Sequence, residues 1–180
     1  MSTANQIIQD WEEDQREAAK IIIEAYGEPN ETTPSMLIWY NKGRWKKIIA
    51  SKEGTQHDFP FPHLDFIEGI TDYRVAADKF SDLAAFDGSV TIRRTQGEIS
   101  ARCHDEQANF LAINLANDII VGKLSVEEAR KAYVNTMIAF RQKKPTPYME
   151  ALQFAVQSDT IDSDVTLITE AELKQKEHEK

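Results

Sequence analysis

The sequence predicts an α+β fold: a predominantly antiparallel sheet of two hairpins plus one further strand, packed against an N-terminal helix, a short middle helix and a C-terminal antiparallel helix pair. Three observations carry that prediction. Apolar residues recur at three- and four-residue steps near the N-terminus and again between residues 105 and 142, the mark of amphipathic helices. Residues 36–51 and 89–103 each set apolar runs on either side of a glycine-containing turn, the mark of hairpins. At 180 residues and 41% hydrophobic content, the chain can bury one sizeable core. Residues 1–157 are therefore expected to form a single domain, and residues 158–180 an acidic, mobile tail.

Ile8, Trp11, Gln15, Ala18, Ala19, Ile22 and Tyr26 share one face of a helix expected over residues 4–26, and Gly27 with Pro29 stops it. Pro, Gly, Asn, Thr and Ser then crowd a loop. The runs MLIWY and RWKKII pair next. A three-residue loop at Asn41-Lys42-Gly43 sets Trp39 opposite Trp45 and Tyr40 opposite Arg44, an aromatic ladder. Pro60 and Pro62 remove two backbone donors, so residues 52–63 read as a surface connector and not a core strand. Residues 66–75 supply the further strand, and Phe80, Leu83 and Ala84 mark a short helix closed by Asp87-Gly88.

In the second hairpin a two-residue loop at Gln96-Gly97 sets Ile92 opposite Ala101 and Val90 opposite Cys103, with Arg93 facing Ser100 and Thr95 facing Glu98. Asp105 caps the following helix and Gly122 ends it. Ser125 with Glu128 forms a capping box for another helix through residue 142, and so short a connection makes the two helices antiparallel neighbours. Beyond Pro145 and Pro147, residues 148–156 either return as an edge strand or lie over the core. Thr169 with Glu172 is placed to nucleate a terminal helix on a partner.

Charge narrows the partners. With 30 acidic against 21 basic residues, the net charge of −9 repels nucleic acid and anionic membranes at long range. Lys42, Arg44, Lys46, Lys47 and Lys52 beside Trp39, Tyr40 and Trp45 do form a basic aromatic patch, but such residues more often pack a hairpin and protect a sheet edge. Nucleic acid is thus a poor partner. One cysteine excludes an internal disulfide framework. The first residues lack the pattern of a secretory signal and no run approaches the roughly 18 apolar residues of a membrane span, so a soluble, cytoplasmic protein is expected.

The strings LIWYNKGRWK (residues 37–46), AAFDGSV (84–90) and GEISARC (97–103) resemble a family of uncharacterised bacterial proteins, in which the first string often reads Asn-Gly-Pro-Trp. The likeness covers residues 23–154. Lys42 and Arg44 depart from the family pattern and add positive charge at the turn. The resemblance implies no activity and carries no functional residues across.

Four constellations carry possible chemistry. Cys103-His104 invites a nucleophile and base, but neighbours on a strand point to opposite faces, which favours a buried cysteine acting as a small hydrophobe. Arg93, Glu98, Arg102 and His104 share the polar face of the second hairpin, where two arginines could grip a carboxylate or phosphate. On the mostly apolar helix after Asp105, the side chains of Asn114, Asn117 and Asp118 share one side. They either line a polar pocket or close a structural network, with Asp118 paired to Arg94 or Arg102. His57, His63 and Asp65 are metal-ligand types, but their spacing matches no established site, so neither a metal nor a cofactor is expected.

No catalytic residue can be named from the sequence. The expected function is a non-catalytic binding or assembly module that forms a homo-oligomer or holds a protein partner. The alternative is a binder of a small acidic ligand, or an enzyme, whose pocket lies between the 89–103 hairpin and the 105–121 helix and uses Arg93, Glu98, Arg102, His104, Asn114, Asn117 and Asp118.

Overall fold

Six antiparallel strands build one sheet in the computed structural model, which describes residues 3–178. In chain order they are β1 (Glu31–Thr33), β2 (Met36–Lys42), β3 (Trp45–His57), β4 (His63–Asp72), β5 (Val90–Arg93) and β6 (Glu98–Cys103). Their order across the sheet is β1-β2-β3-β4-β6-β5. The helices are α1 (Ala4–Ile7), α2 (Glu13–Tyr26), α3 (Phe80–Phe86), α4 (Glu106–Ile120), α5 (Val126–Arg141), α6 (Pro147–Glu150) and α7 (Glu170–Glu177). This is the α+β fold expected from the sequence. No helix among the described residues is long and apolar enough to cross a membrane.

Opposed residues in antiparallel strands share a face, so the register identifies the core side directly. Trp39 opposes Ile48, Ile48 opposes Gly69 and Gly69 opposes Ala101; Leu37, Ala50, Ile67 and Cys103 form a second row on the same face. All eight are buried. Helix α2 packs over β3, α4 over β6 and β4, and α5 against α3 and α4. Gly69 makes room for Trp45, because a Cβ there would sit 2.9 Å from the indole. That indole stacks on Phe110 of α4 at 4.8 Å and donates to Glu106, which also accepts from Tyr26.

The opposite face holds an ion-pair lattice. Lys46 joins Asp72 and Glu98, and Arg93 joins Glu68.

Local differences from the sequence reading have physical causes. The N-terminal helix breaks at Trp11, whose backbone is extended while its buried indole donates to the Pro34 carbonyl. The first hairpin pairs Lys42 with Trp45 and Trp39 with Ile48, so no tryptophan ladder forms. Each indole turns instead to an acceptor on the helical side, Trp39 to the Gly27 carbonyl and Trp45 to Glu106. In the second hairpin Ile92 opposes Ile99 and Arg93 opposes Glu98. A four-residue turn with Gly97 left-handed shifts that register by two, and an even shift leaves every paired residue of the two strands on its expected face.

Residues 52–63 are no mere connector. After an irregularity between Ala50 and Thr55, β3 runs on to His57, β4 begins at His63, and these two histidines are cross-strand partners. Residues 147–150 form α6 and not an edge strand, with Met149 and Leu152 buried. The acidic tail is fastened at its start: Thr160 is buried against Gly97, Arg74 donates to the Ile161 carbonyl, and Arg94 pairs with Asp162 and Asp164. Helix α7 starts with the Thr169–Glu172 capping box and buries none of its residues.

Candidate metal centre

Strand alternation places His63, Asp65 and Ile67 on the same face of β4, the face covered by helices. Cross-strand pairing then adds His57 beside His63 and Cys103 beside Ile67. His104 and Asp105 follow in the bend that leads into α4, while Asp87 and Ser89 arrive from the turn between α3 and β5. Three imidazoles, three carboxylates and the thiol thus meet at one end of the sheet. One donor atom each from His63, Cys103 and His104 lie within 4.8 Å of one another, as do donor atoms of His57, His63 and Asp65.

His63 links the two groups. Its Nδ1 lies 2.7 Å from the Phe61 carbonyl, which assigns a proton to that nitrogen and leaves Nε2 facing inward, an acceptor in the neutral ring and a donor in the protonated one. Asp65 Oδ1 stands 3.1 Å from Nε2, and Cys103 Sγ stands 3.3 Å from it. On the far side of the thiol, His104 Nδ1 is 3.4 Å from Sγ, and its Nε2 is held by Asp105 Oδ2 at 2.9 Å. Asp65 Oδ1 is buried and accepts no hydrogen bond among the described residues. With both imidazoles neutral, three acceptor atoms converge and only the thiol has a proton to give.

Asp65 Oδ2 serves the neighbouring pair. It accepts from the Ser89 hydroxyl and lies 3.2 Å from His57 Nδ1, itself 3.0 Å from Ser89 Oγ. His57 Nε2 faces Asp87 Oδ1 at 3.7 Å. Among the described residues no lysine or arginine pairs with Asp65, Asp87 or Asp105; their ionic contacts are all to imidazoles. The side chains of Asp65 and Asp87 are 5% and 4% exposed, so their charge is poorly screened.

The electrostatics follow from that burial. The Asp65 carboxylate 3.1 Å from Nε2, which the protonated ring can engage, is the main cause that raises His63 above its ordinary pKa, and burial opposes it. Burial, then the charges of Asp65 and Asp105, pushes the Cys103 thiol well up, and burial likewise raises Tyr133, which faces that thiol from α5. A thiol held protonated is a poor nucleophile, so a Cys103-His104 catalytic dyad is not supported even though the two side chains touch. They touch because Cys103 is the last residue of β6 and His104 lies beyond it, where strand alternation no longer applies.

Aromatic packing closes the site. Phe59 stands 5.1 Å from Tyr133 with the Arg130 guanidinium 3.9 Å above it, and Arg141 stacks over Phe61 at 4.7 Å. The open edge is at His104 and Asp105, whose side chains are 33% and 25% exposed.

The pocket expected between the 89–103 hairpin and the 105–121 helix does not assemble, because its two halves face opposite sides of the sheet. Arg93, Glu98 and Arg102 lie on the outer face, where Arg93 meets Glu68 and Arg102 donates to the Glu53 carbonyl. The α4 residues satisfy protein groups elsewhere. Asn114 donates to the Tyr148 and Ala151 carbonyls and accepts from Gln153 N, while Asn117 accepts from the Tyr73 hydroxyl. Asp118 pairs with Lys123 and Tyr148, not with Arg94 or Arg102. Of the expected site residues only His104 joins the cluster. The alternation His63, Asp65, Ile67 was the available signal for the others, hidden because Pro60 and Pro62 suggested that no strand began there.

No family model, curated protein or solved structure matches the chain.

Proposed function

We propose that this chain binds a divalent transition-metal ion, zinc first among them, through His63 Nε2, Asp65 Oδ1, Cys103 Sγ and His104 Nδ1. One observation carries the reading: His63 Nε2 and Asp65 Oδ1, both acceptors while the ring is neutral, are held 3.1 Å apart with the other nitrogen of that ring engaged by the Phe61 carbonyl. A cation between them resolves the repulsion and also balances the buried carboxylates. A proton on His63 would resolve it as well, which makes occupancy the decisive measurement.

The donor set suits zinc in kind. Imidazole, thiolate and carboxylate are its usual ligands, and tetrahedral coordination at ordinary bond lengths separates donors by roughly 3.3–3.7 Å. The His63–Cys103 and Cys103–His104 contacts of 3.3 and 3.4 Å are close to that spacing, and these three donors lie within 4.8 Å of one another; Asp65 Oδ1, 3.1 Å from His63 Nε2, belongs to the adjoining triad and has to swing toward the thiol to complete the four. The outer partners fit too: each ligating imidazole has its second nitrogen bonded to oxygen, His63 to the Phe61 carbonyl and His104 to Asp105. A bound cation would draw the proton from Cys103 in spite of its burial. It would also stabilise the fold by about 2.7 kcal/mol at a free concentration a hundred times its dissociation constant.

Cobalt substitution tests this. Stoichiometric Co²⁺ should give thiolate-to-cobalt absorption that disappears in Cys103→Ser and weakens in His63→Ala. A spectrum without that absorption, from folded protein, sinks the metal reading.

Assembly is a second role supported by a separate observation. Val134 and Ile138, one turn apart on α5, are 40% and 50% exposed. Sedimentation equilibrium of Ile138→Asp against the parent chain tests it; equal masses would remove this face from consideration.

A further inference from the structure

Beside the open edge of the metal centre lies a groove of about 660 Å³, within the range of small-molecule sites. Phe110, Phe140 and Met149 supply its apolar surface, and Arg141, Lys143 and Lys144 its cations. In a chain with nine more acidic than basic residues, these three cations form no ion pair with any described residue. Neither lysine side chain donates a hydrogen bond to a described residue, and the Arg141 guanidinium rests on the Phe61 ring, a contact that leaves its N–H edge available. Two acids also line the groove, Glu106 and Glu150. Glu106 is already engaged, since one of its oxygens accepts from both Tyr26 and Trp45.

We propose that the groove binds an amphiphilic organic anion: an aromatic or acyl body against Phe110, Phe140 and Met149, with a carboxylate or phosphate held by Arg141, Lys143 and Lys144. The combination of apolar surface and clustered cations selects against both a bare inorganic anion and a neutral apolar molecule. Two links tie the groove to the metal centre. Arg141 stacks on Phe61, whose carbonyl fixes the His63 ring. Glu106, on the groove wall, directly follows Asp105, which holds His104. Insofar as it names the class of molecule brought to the metal, the proposal rests on the metal reading; the groove's own binding does not.

Phenyl phosphate is the probe, with inorganic phosphate and benzyl alcohol as the two half-ligands. Amide chemical shifts of the full chain should move at residues 106–110 and 140–150 with phenyl phosphate, and far less with either half-ligand at the same concentration. Lys143→Gln with Lys144→Gln should weaken binding about tenfold or more, the effect of removing charge-assisted contacts. Cobalt absorption, recorded on the same samples, separates the two claims. Intact cobalt absorption with no lysine-dependent phenyl phosphate shifts overturns the groove alone. Lysine-dependent shifts without cobalt absorption uphold the groove and remove the metal. Equal affinity for phenyl phosphate and inorganic phosphate overturns the amphiphilic assignment.

Discussion

His104 turns Nε2 to Asp105 Oδ2 at 2.9 Å, and the other oxygen of that carboxylate accepts from Ala108 N at 2.7 Å. One side chain therefore orients an imidazole and caps α4. The two roles separate by substitution. Asparagine remains a good N-cap, so Asp105→Asn should leave stability nearly unchanged while lowering metal affinity about 10–100-fold, the usual effect of losing a carboxylate behind a ligating histidine. Asp105→Ala should add a loss of about 1 kcal/mol from the missing cap. Chelator competition and urea unfolding of both variants check this. Unchanged affinity in the asparagine variant would reduce Asp105 to a cap.

Asn114 is the structural counterpart on the same helix. It makes three bonds to the segment after α5, donating to the Tyr148 and Ala151 carbonyls and accepting from Gln153 N. Asn114→Ala leaves these groups unpaired in a largely buried place and should cost about 3 kcal/mol or more. Hydrogen exchange should show residues 147–153 opening before the sheet does. Protection unchanged in that segment would mean that Asn114 does not hold it.

Much of this architecture could be read from the residues. Ser125 and Glu128, Asp105, and the spacing of Phe80 and Leu83 announced their helices because capping and periodicity act locally. The expected face of each β5–β6 residue survived an error in loop length because side-chain alternation has period two and the slip was even. The metal centre was less legible. His57, His63 and Asp65 lie within nine positions of one another, but Cys103 joins them only through the β4–β6 pairing, which no local pattern encodes. The polar residues of α4 pointed toward a pocket because the sequence does not say which side of the sheet a helix will cover.

Gly97 ties the acidic tail to the second hairpin. Its φ is +66°, and a Cβ there would come within 2.3 Å of the Thr160 backbone. Gly97→Ala must both strain the turn and displace residues 160–164, breaking the Arg94 contacts to Asp162 and Asp164. Limited proteolysis should then cut between residues 157 and 165 several-fold faster than in the parent chain, with the core resistant. Equal cleavage rates would show that this anchor does not restrain the tail.

Asp87 gives the stability a pH dependence whose sign can be worked out. Burial holds its carboxyl above the ordinary value of 3.8. The Ser89 N–H and the charges of His57 and His63 pull it back, and the charge of Asp65 pushes it further up. As pH rises past 3.8, the unfolded chain releases this proton while the folded chain still holds it. Folding then takes up a proton, so the contribution of the protonated form is complete below the ordinary value and is lost as pH climbs to the raised one. Asp87→Asn carries no charge at any pH and can still accept from Ser89 N, which Asp87 does now at 2.8 Å. Relative to the parent chain, the variant should gain stability steadily from acid toward neutral pH. Urea midpoints of the two proteins across that range give the difference directly, and a difference flat with pH would show that Asp87 titrates alike in the folded and unfolded chains.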